Sequence, residues 1–411
     1  MNENVPAVAA DPALLAIHGG ERVRKTPMPP RLALGERERE MAISVLDYYR
    51  ERNLDPGYEG HFEKLYVHAF TEMMGGGYAD AVATGTSALY IAMAALDLPK
   101  GSEVIVSSIT DPGSLAAIVL NGLKPRLADS APGSYNIGVE QFAERLTPNV
   151  TGALIVHAGG QPAEIDKIVE VAHARGIKVL EDCAQSHGAL VRAKPIGTFG
   201  DIAAFSTMYR KAHMTGPSGG VVYTRDPELH RRAVAHADRG KPRWREDFSD
   251  RDPSNYLFPA LNHNTDEISC AIGFASLARL RSTIIARLAF VSDFVARLVD
   301  ASNVCNPYPF SPTNSPFFYQ VMVDCGAITC SKIEFAEAVR AEGIDLNPHY
   351  RFVVSDWPYI RPYLADDFDA PNAHDICNRS FNLYLNERYG EQEARDAVKA
   401  IVKVEKHFIK K

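Results

Sequence analysis

The sequence predicts an α/β protein in which a large domain, built on a mostly parallel sheet covered on both faces, precedes a smaller C-terminal α/β domain. Three observations carry this. Strand-like and helix-like segments alternate from about residue 80 to residue 182. A long helical stretch near 267–298 separates that block from a second strand–helix set, and 411 residues suffice for two domains or for one large core with an appendage.

Residues 1–33 contain Gly19-Gly20 and Pro27-Met28-Pro29-Pro30, and read as an irregular N-terminal arm without a core of its own. The large domain is expected over 34–285. It opens with a helical pattern over about 34–49 and a second helix over 62–74, which Gly75-Gly76-Gly77 ends. A short apolar strand follows at 80–84. Then come helix 87–96, strand 103–107, helix 114–121, strand 125–128, helix 138–146, strand 152–157, helix 165–174 and strand 177–182. Two more strands, about 201–206 and 219–223, bracket the loop that holds Lys211. Ile268, Ala271, Ile272, Ala275 and Ala278 recur at helical spacing, so residues 267–298 form one or two long helices. They lead into the small domain, expected over 286–411, with strand 317–323, helix 331–342 and a terminal helix near 392–407.

Composition excludes several classes. The content is 46% apolar and 23% charged, ordinary for a soluble globular protein, and the net charge of −7 gives no footprint for DNA or RNA. The most basic stretch, 231–245, is interrupted by Asp238 and followed by Glu246 and Asp247, so it reads as a solvated charged surface. Apolar runs such as 115–120 are too short to span a membrane. Residues 1–11 contain no Lys or Arg and no sustained apolar core, so no signal peptide and a cytoplasmic location are expected. The six cysteines include no C-x-x-C pair and no Cys/His cluster at ligand spacing, which predicts reduced thiols and no metal site.

Sites in sheets of this kind lie at the carboxyl ends of strands, where Ser107 and Asp182 both fall. Glu181-Asp182 places two acids at such an end, and Lys211 follows in the run Phe205-Ser206-Thr207-Met208-Tyr209-Arg210-Lys211. A lysine amine condenses with an aldehyde only when neutral, so it needs desolvation or neighbouring positive charge. A pyridoxal ring needs an acid beside its ring nitrogen. The acids read equally well as loop or capping residues, and His187 nearby as a structural hydrogen-bonding group. Gly85-Thr86-Ser87 stands where a strand ends and a helix begins, so free backbone N–H groups and two hydroxyls would converge on a phosphate; an ordinary helix cap is the alternative.

With these motifs the sequence resembles the DegT/DnrJ/EryC1/StrS family of pyridoxal-phosphate-dependent sugar aminotransferases, of the aspartate aminotransferase type, PLP-dependent transferase fold type I. The resemblance runs through Ala83 to Leu89, Gly101-Ser102-Glu103, Val156-His157-Ala158-Gly159-Gly160-Gln161-Pro162, Glu181 to Gly188, Gly200 to Lys211, Leu261 to Glu267, and Gly343 to Tyr350. It implies pyridoxal 5'-phosphate as cofactor, with Lys211 as its covalent anchor and later proton shuttle, and Asp182 on the pyridine nitrogen. It further implies Gln185 near the ring's phenolic oxygen and Gly85, Thr86, Ser87 and Ser206 around the phosphate. Asn262 matches a position that reaches the neighbouring subunit's cofactor, so a homodimer with shared sites is implied. The expected reaction moves an amino group from glutamate or glutamine to a keto sugar or keto cyclitol, with no nucleic-acid or membrane partner.

Departures from the family bear on the substrate. Its Thr-aromatic pair is Thr110-Asp111 here, so either another residue covers the cofactor ring or Asp111 contacts substrate. Gly216-Pro217-Ser218-Gly219 replaces the usual Gly-Glu-Gly-Gly, and Phe205-Ser206-Thr207 the usual Phe-Ser-Phe. His349, Tyr350, Arg351 and Arg210 are candidates for the donor's carboxylate by position. One rival is a sugar 3-dehydratase on the same scaffold, in which a histidine replaces the lysine, with His213 as the nearby histidine. Another is a catalytically silent cofactor- or sugar-binding regulator.

Overall fold

The computed structural model describes residues 14–410. The segment 1–11, in which no signal peptide is expected, lies outside the described residues. Seven strands form the large sheet: β1 (Tyr78–Val82), β2 (Glu103–Ser107), β3 (Lys124–Ala128), β4 (Val150–Val156), β5 (Lys178–Asp182), β6 (Ile202–Ser206) and β7 (Gly220–Thr224). Their order is β1-β7-β6-β5-β4-β2-β3. Pairings among β3, β2, β4, β5 and β6 are parallel, while β7 runs antiparallel to both β6 and β1. β8 (Cys305–Pro307), β9 (Phe318–Val323), β10 (Leu346–Asn347) and β11 (Ser380–Tyr384) form a second, antiparallel sheet in the order β8-β9-β11-β10.

The helices among the described residues are α1 (Glu36–Arg52), α2 (His61–Met73), α3 (Gly85–Ala95), α4 (Pro112–Leu120), α5 (Val139–Glu144), α6 (Ile165–His173), α7 (Pro227–Ala237), α8 (Glu267–Ala278), α9 (Leu280–Ala301), α10 (Lys332–Ala341), α11 (Pro371–Asn378) and α12 (Glu391–Phe408). α3 and α4 each begin two residues before the sequence reading starts them. Thr84 caps α3 by accepting the Ser87 N–H, and Asp111 caps α4 by accepting the Gly113 N–H, with Pro112 at the first helical position. Proline is tolerated there because that N–H has no intrahelical acceptor. Asp226 and Pro227 start α7 in the same way, inside a stretch the sequence reading left without structure.

The long helical stretch resolves into α8 and α9, and α9 runs unbroken across residues 285 and 286, the expected domain boundary. The basic stretch 231–245 is not simply solvated. Buried Asp238 accepts from Arg239 and Arg243, both at 2.7 Å, and pairs with the buried Lys241 at 3.4 Å. Charges this deep are stable only when paired and hydrogen-bonded, which the cluster achieves.

The N-terminal arm is fastened to the small-sheet side of the molecule. Leu15 is fully buried, and Arg24 bridges Glu393 at 3.0 Å and Asp396 at 2.8 Å on α12. No helix among the described residues is long and apolar enough to cross a membrane.

Candidate active site

β5 delivers two neighbouring acids to opposite uses, because successive strand side chains point to opposite faces. Glu181 is fully buried, and its carboxylate accepts the N–H groups of Gly197, Phe199 and Gly200 at 2.7, 2.8 and 2.7 Å. His157 Nε2 adds a contact at 3.1 Å, while His157 Nδ1 accepts the Ala163 N–H. The His157, Glu181 and Cys183 ligand atoms lie within 4.8 Å of one another. Glu181 and both His157 ring nitrogens are engaged by these hydrogen bonds, so the pair is a structural clasp.

Asp182 faces the crevice at the strand ends. Its carboxylate accepts the Ala184 N–H at 3.0 Å and the Ser114 hydroxyl at 2.9 Å, and Ser114 is held in turn by Thr110 at 2.7 Å. Burial raises the Asp182 carboxyl above its ordinary value, against the opposing pull of those hydrogen bonds and the Lys211 charge. Lys211 is half-buried, and burial lowers its amine below the ordinary lysine value while Asp182 and Asp111 oppose the shift. Each group thus favours the other's charged form. The Lys211 Nζ stands 4.5 Å from the centre of the Phe317 ring.

The Lys211 loop is pinned from three sides. Thr207 and Thr215 join hydroxyls at 2.8 Å, and the Thr215 N–H donates to the Thr207 carbonyl at 2.8 Å. A Cβ at Gly219 would stand 1.9 Å from Thr215 Oγ1, so glycine is required where this close approach occurs at φ 150°. Thr207 in place of the family's phenylalanine therefore serves as a loop staple. The Ser218 hydroxyl donates to the Ala83 carbonyl at 2.8 Å, tying the altered Gly216-Pro217-Ser218-Gly219 turn to the α3 entry. From the arm, Arg31 donates to the Tyr209 and Ala212 carbonyls at 2.8 and 3.0 Å while pairing with Glu387 at 3.0 Å.

The N-terminus of α3 forms a cradle of a shape and polarity suited to a phosphate. Ser87 is drawn into the cap with Thr84, leaving the Gly85 and Thr86 N–H groups at the positive end of the helix. A Cβ on Gly85 would lie 2.4 Å from Ser206 Cβ and 2.8 Å from its hydroxyl. Only glycine lets Ser206 come this close. The Gln185 Oε1 accepts the Gly159 N–H at 2.7 Å. A cradle that a Cβ would fill, a buried carboxylate with two fixed donors and a desolvated lysine together fit pyridoxal phosphate.

Other expected site residues fall elsewhere. His213 is fully buried among aromatic rings and bonds the Tyr66 hydroxyl through Nε2 at 2.7 Å; burial holds it down to about 3, so it stays neutral in the core. His349 is held by the Lys332 amine through Nδ1 at 3.0 Å. Asn262 stands on the surface, donating to the Tyr58 hydroxyl at 3.1 Å. Arg210 and Arg351 are exposed. Sequence reasoning missed Ser114, Phe317 and Arg31. Ser114 had a local signal, a hydroxyl four residues after Thr110 at a strand-to-helix turn, whereas the other two reach the site only through tertiary packing.

The family model for DegT/DnrJ/EryC1/StrS aminotransferases matches residues 52–402. The GDP-perosamine synthase of Caulobacter vibrioides is 30% identical over 312 residues, covering 75% of this chain and 81% of that protein. Protein MosB of Rhizobium meliloti is 40% identical over 158 residues, 38% of this chain, and the match spans only 31% of its own length. An aminotransferase from Psychrobacter cryohalolentis has a solved structure that superposes with a TM-score of 0.83 at 25% identity, covering 91% of this chain and 98% of that one.

Proposed function

This chain belongs to the DegT/DnrJ/EryC1/StrS aminotransferase family, and on that premise we propose that it is a pyridoxal-phosphate-dependent enzyme transferring an amino group from glutamate or glutamine to a keto sugar or keto cyclitol. The observation that carries this reading is the grouping of the Lys211 amine, the Asp182 carboxylate and the open N-terminus of α3 around one crevice.

When bound, pyridoxal phosphate supplies an aldehyde that receives the amino group and a ring that withdraws electrons from the substrate carbon. The chain's own groups do the rest. Gly85 and Thr86 N–H groups with the Ser206 hydroxyl would hold the phosphate. Asp182, fixed by Ala184 and Ser114, would hold a proton on the ring nitrogen. Gln185, fixed by Gly159, would orient the ring's oxygen. The Lys211 Nζ, with its proton affinity lowered by burial, would take a proton from the donor's carbon and deliver it to the cofactor's carbon in the first half of the cycle, and carry one in the opposite direction, to the acceptor's carbon, in the second. Phe317, across from the amine, shields it from water.

The dehydratase reading needs a histidine in the lysine's place. Lys211 occupies that place, and His213 is committed to Tyr66. We also propose a homodimer in which Asn262 reaches the partner's site. Ile43 and Leu46 on α1, Ile268 on α8, and Tyr58, Leu257 and Leu261 are exposed large apolar side chains that a second copy would cover. Sedimentation of the purified chain would give a dimer mass; a monomer at micromolar concentration contradicts this part of the proposal.

The test of the reaction is the visible spectrum of the pyridoxal-phosphate-loaded protein before and after glutamate or glutamine. The expected result is conversion to the amine form of the cofactor, and slowing of that conversion in Lys211→Ala by about 10²- to 10⁴-fold. Full transfer by Lys211→Ala contradicts the proposal.

A further inference from the structure

Asp111 lies between the phosphate cradle and an aromatic segment. Its Oδ1 accepts the Gly113 N–H at 2.9 Å, the only side-chain hydrogen bond Asp111 makes among the described residues, and the residue is exposed. A Cβ on Gly113 would lie 2.9 Å from Thr86 Oγ1 and 3.2 Å from Asp111 Oδ1, so the acid and the cradle's threonine flank one glycine. On the other side the Thr110 N–H donates to the Phe352 carbonyl at 3.2 Å, and Ile109 pairs with Val353.

The segment beyond is a ladder of rings. Tyr350 stacks on the buried Tyr135 at 5.6 Å and on Phe352 at 4.8 Å. Phe352 meets the edge of Trp357 at 6.2 Å, and Trp357 stacks on the exposed Tyr359 at 6.0 Å. The Thr110–Phe352 bond and the Gly113 contacts set Asp111 between the ladder and the cradle, and its charge acts on Tyr350, Tyr359, Lys211 and Asp182. Position 111 carries no ring to stack on a cofactor, and the nearest aromatic face to the Lys211 amine is that of Phe317, at 4.5 Å.

Aromatic faces receive the C–H faces of a saturated ring, and a carboxylate accepts hydrogen bonds from its hydroxyls. A nucleotide diphosphate asks for the opposite, cationic forks or an uncapped helix N-terminus. At this mouth the α4 N-terminus is closed by Asp111 itself. Of the segment's two arginines, Arg361 donates to the Ser355 carbonyl, leaving the exposed Arg351. We infer that Asp111 makes the amino acceptor an uncharged polyhydroxylated ring, a free keto sugar or keto cyclitol, in preference to a nucleotide-linked keto sugar. This inference rests on the aminotransferase reading.

The experiment loads the full-length protein with cofactor and compares three acceptors: 2-keto-myo-inositol, an unlinked 3-ketohexose and a GDP-linked 4-keto-6-deoxyhexose. Unreactive myo-inositol and GDP are titrated alongside by calorimetry. The wild type is expected to favour an unlinked acceptor and to bind myo-inositol over GDP, the two unlinked probes telling cyclitol from sugar. Asp111→Asn keeps a side chain able to cap α4. It is expected to lower kcat/KM for the preferred acceptor about 10- to 100-fold, chiefly through KM, as loss of a charged hydrogen bond predicts. Preference for the GDP-linked acceptor, or an unchanged kcat/KM in Asp111→Asn, overturns the inference. If glutamate or glutamine converts the cofactor but no unlinked ring is accepted, this inference falls while the aminotransferase reading stands. If neither donor converts it, the reading beneath it falls.

Discussion

Glu181 and Asp182 are neighbours on one strand, equally buried to the eye, and they divide the labour of the molecule. Around Glu181 three backbone N–H groups and a histidine converge, and the 197–200 turn hangs from its carboxylate. Around Asp182 there are two donors and an opening toward Lys211. A buried acid saturated with backbone donors holds a fold together. A buried acid with spare lone pairs and a lysine in electrostatic reach is prepared for a ligand.

Removing each acid should produce different failures. Glu181→Ala strands the N–H of buried Gly197 and those of half-buried Phe199 and Gly200, at about 1–3 kcal/mol for a fully buried group, so a loss of about 3 kcal/mol or more is expected in urea unfolding. A variant as stable as its parent would break the distinction. Asp182→Asn should leave urea stability nearly unchanged but slow amino transfer about 10²- to 10³-fold, because a neutral amide cannot favour a ring cation. Ser114→Ala, which removes one of Asp182's two donors, should cost about tenfold in the same assay. Equal losses from Ser114→Ala and Asp182→Asn would mean that the hydroxyl, not the charge, is the working group.

The smallest effect concerns pH in the cofactor-free protein. Burial sets the Lys211 amine below its ordinary 10.5, so the unfolded chain binds the extra proton between the lowered value and 10.5. Stability therefore rises with pH through that window. Lys211→Met should be more stable than its parent at pH 7, with the gap closing as pH approaches 10.5. A gap that widens with pH would show that the folded protein prefers the charged amine, and that Asp182 and Asp111 outweigh burial.

The order of strands and helices from 80 to 223 was legible because caps, turns and apolar runs are local signals. Helix starts came late at Gly85 and Pro112, where residues that read as breakers occupy positions that tolerate them. Asp182 and Lys211 are candidates from strand-end logic and local sequence, and the nearness of Gly85 and Ser206 agrees with the shared role that the family resemblance implies for them. The division between Glu181 and Asp182 could not be anticipated, since both faces of this sheet are covered and hydropathy does not tell them apart. His213 is a candidate by nearness to Lys211 in the chain and His349 by its position alone, whereas packing sends one into the core and the other to Lys332. Phe317 and Arg31 come from segments about a hundred and two hundred residues away, a proximity that no local pattern encodes.

The central claim is that Lys211 is the amine on which the cofactor is carried. Reduction of the loaded protein with borohydride, followed by proteolysis and mass spectrometry, locates that amine directly. The phosphopyridoxyl mass is predicted on the peptide containing Lys211 and on no other; a label on a different lysine, or none at all, would contradict the account.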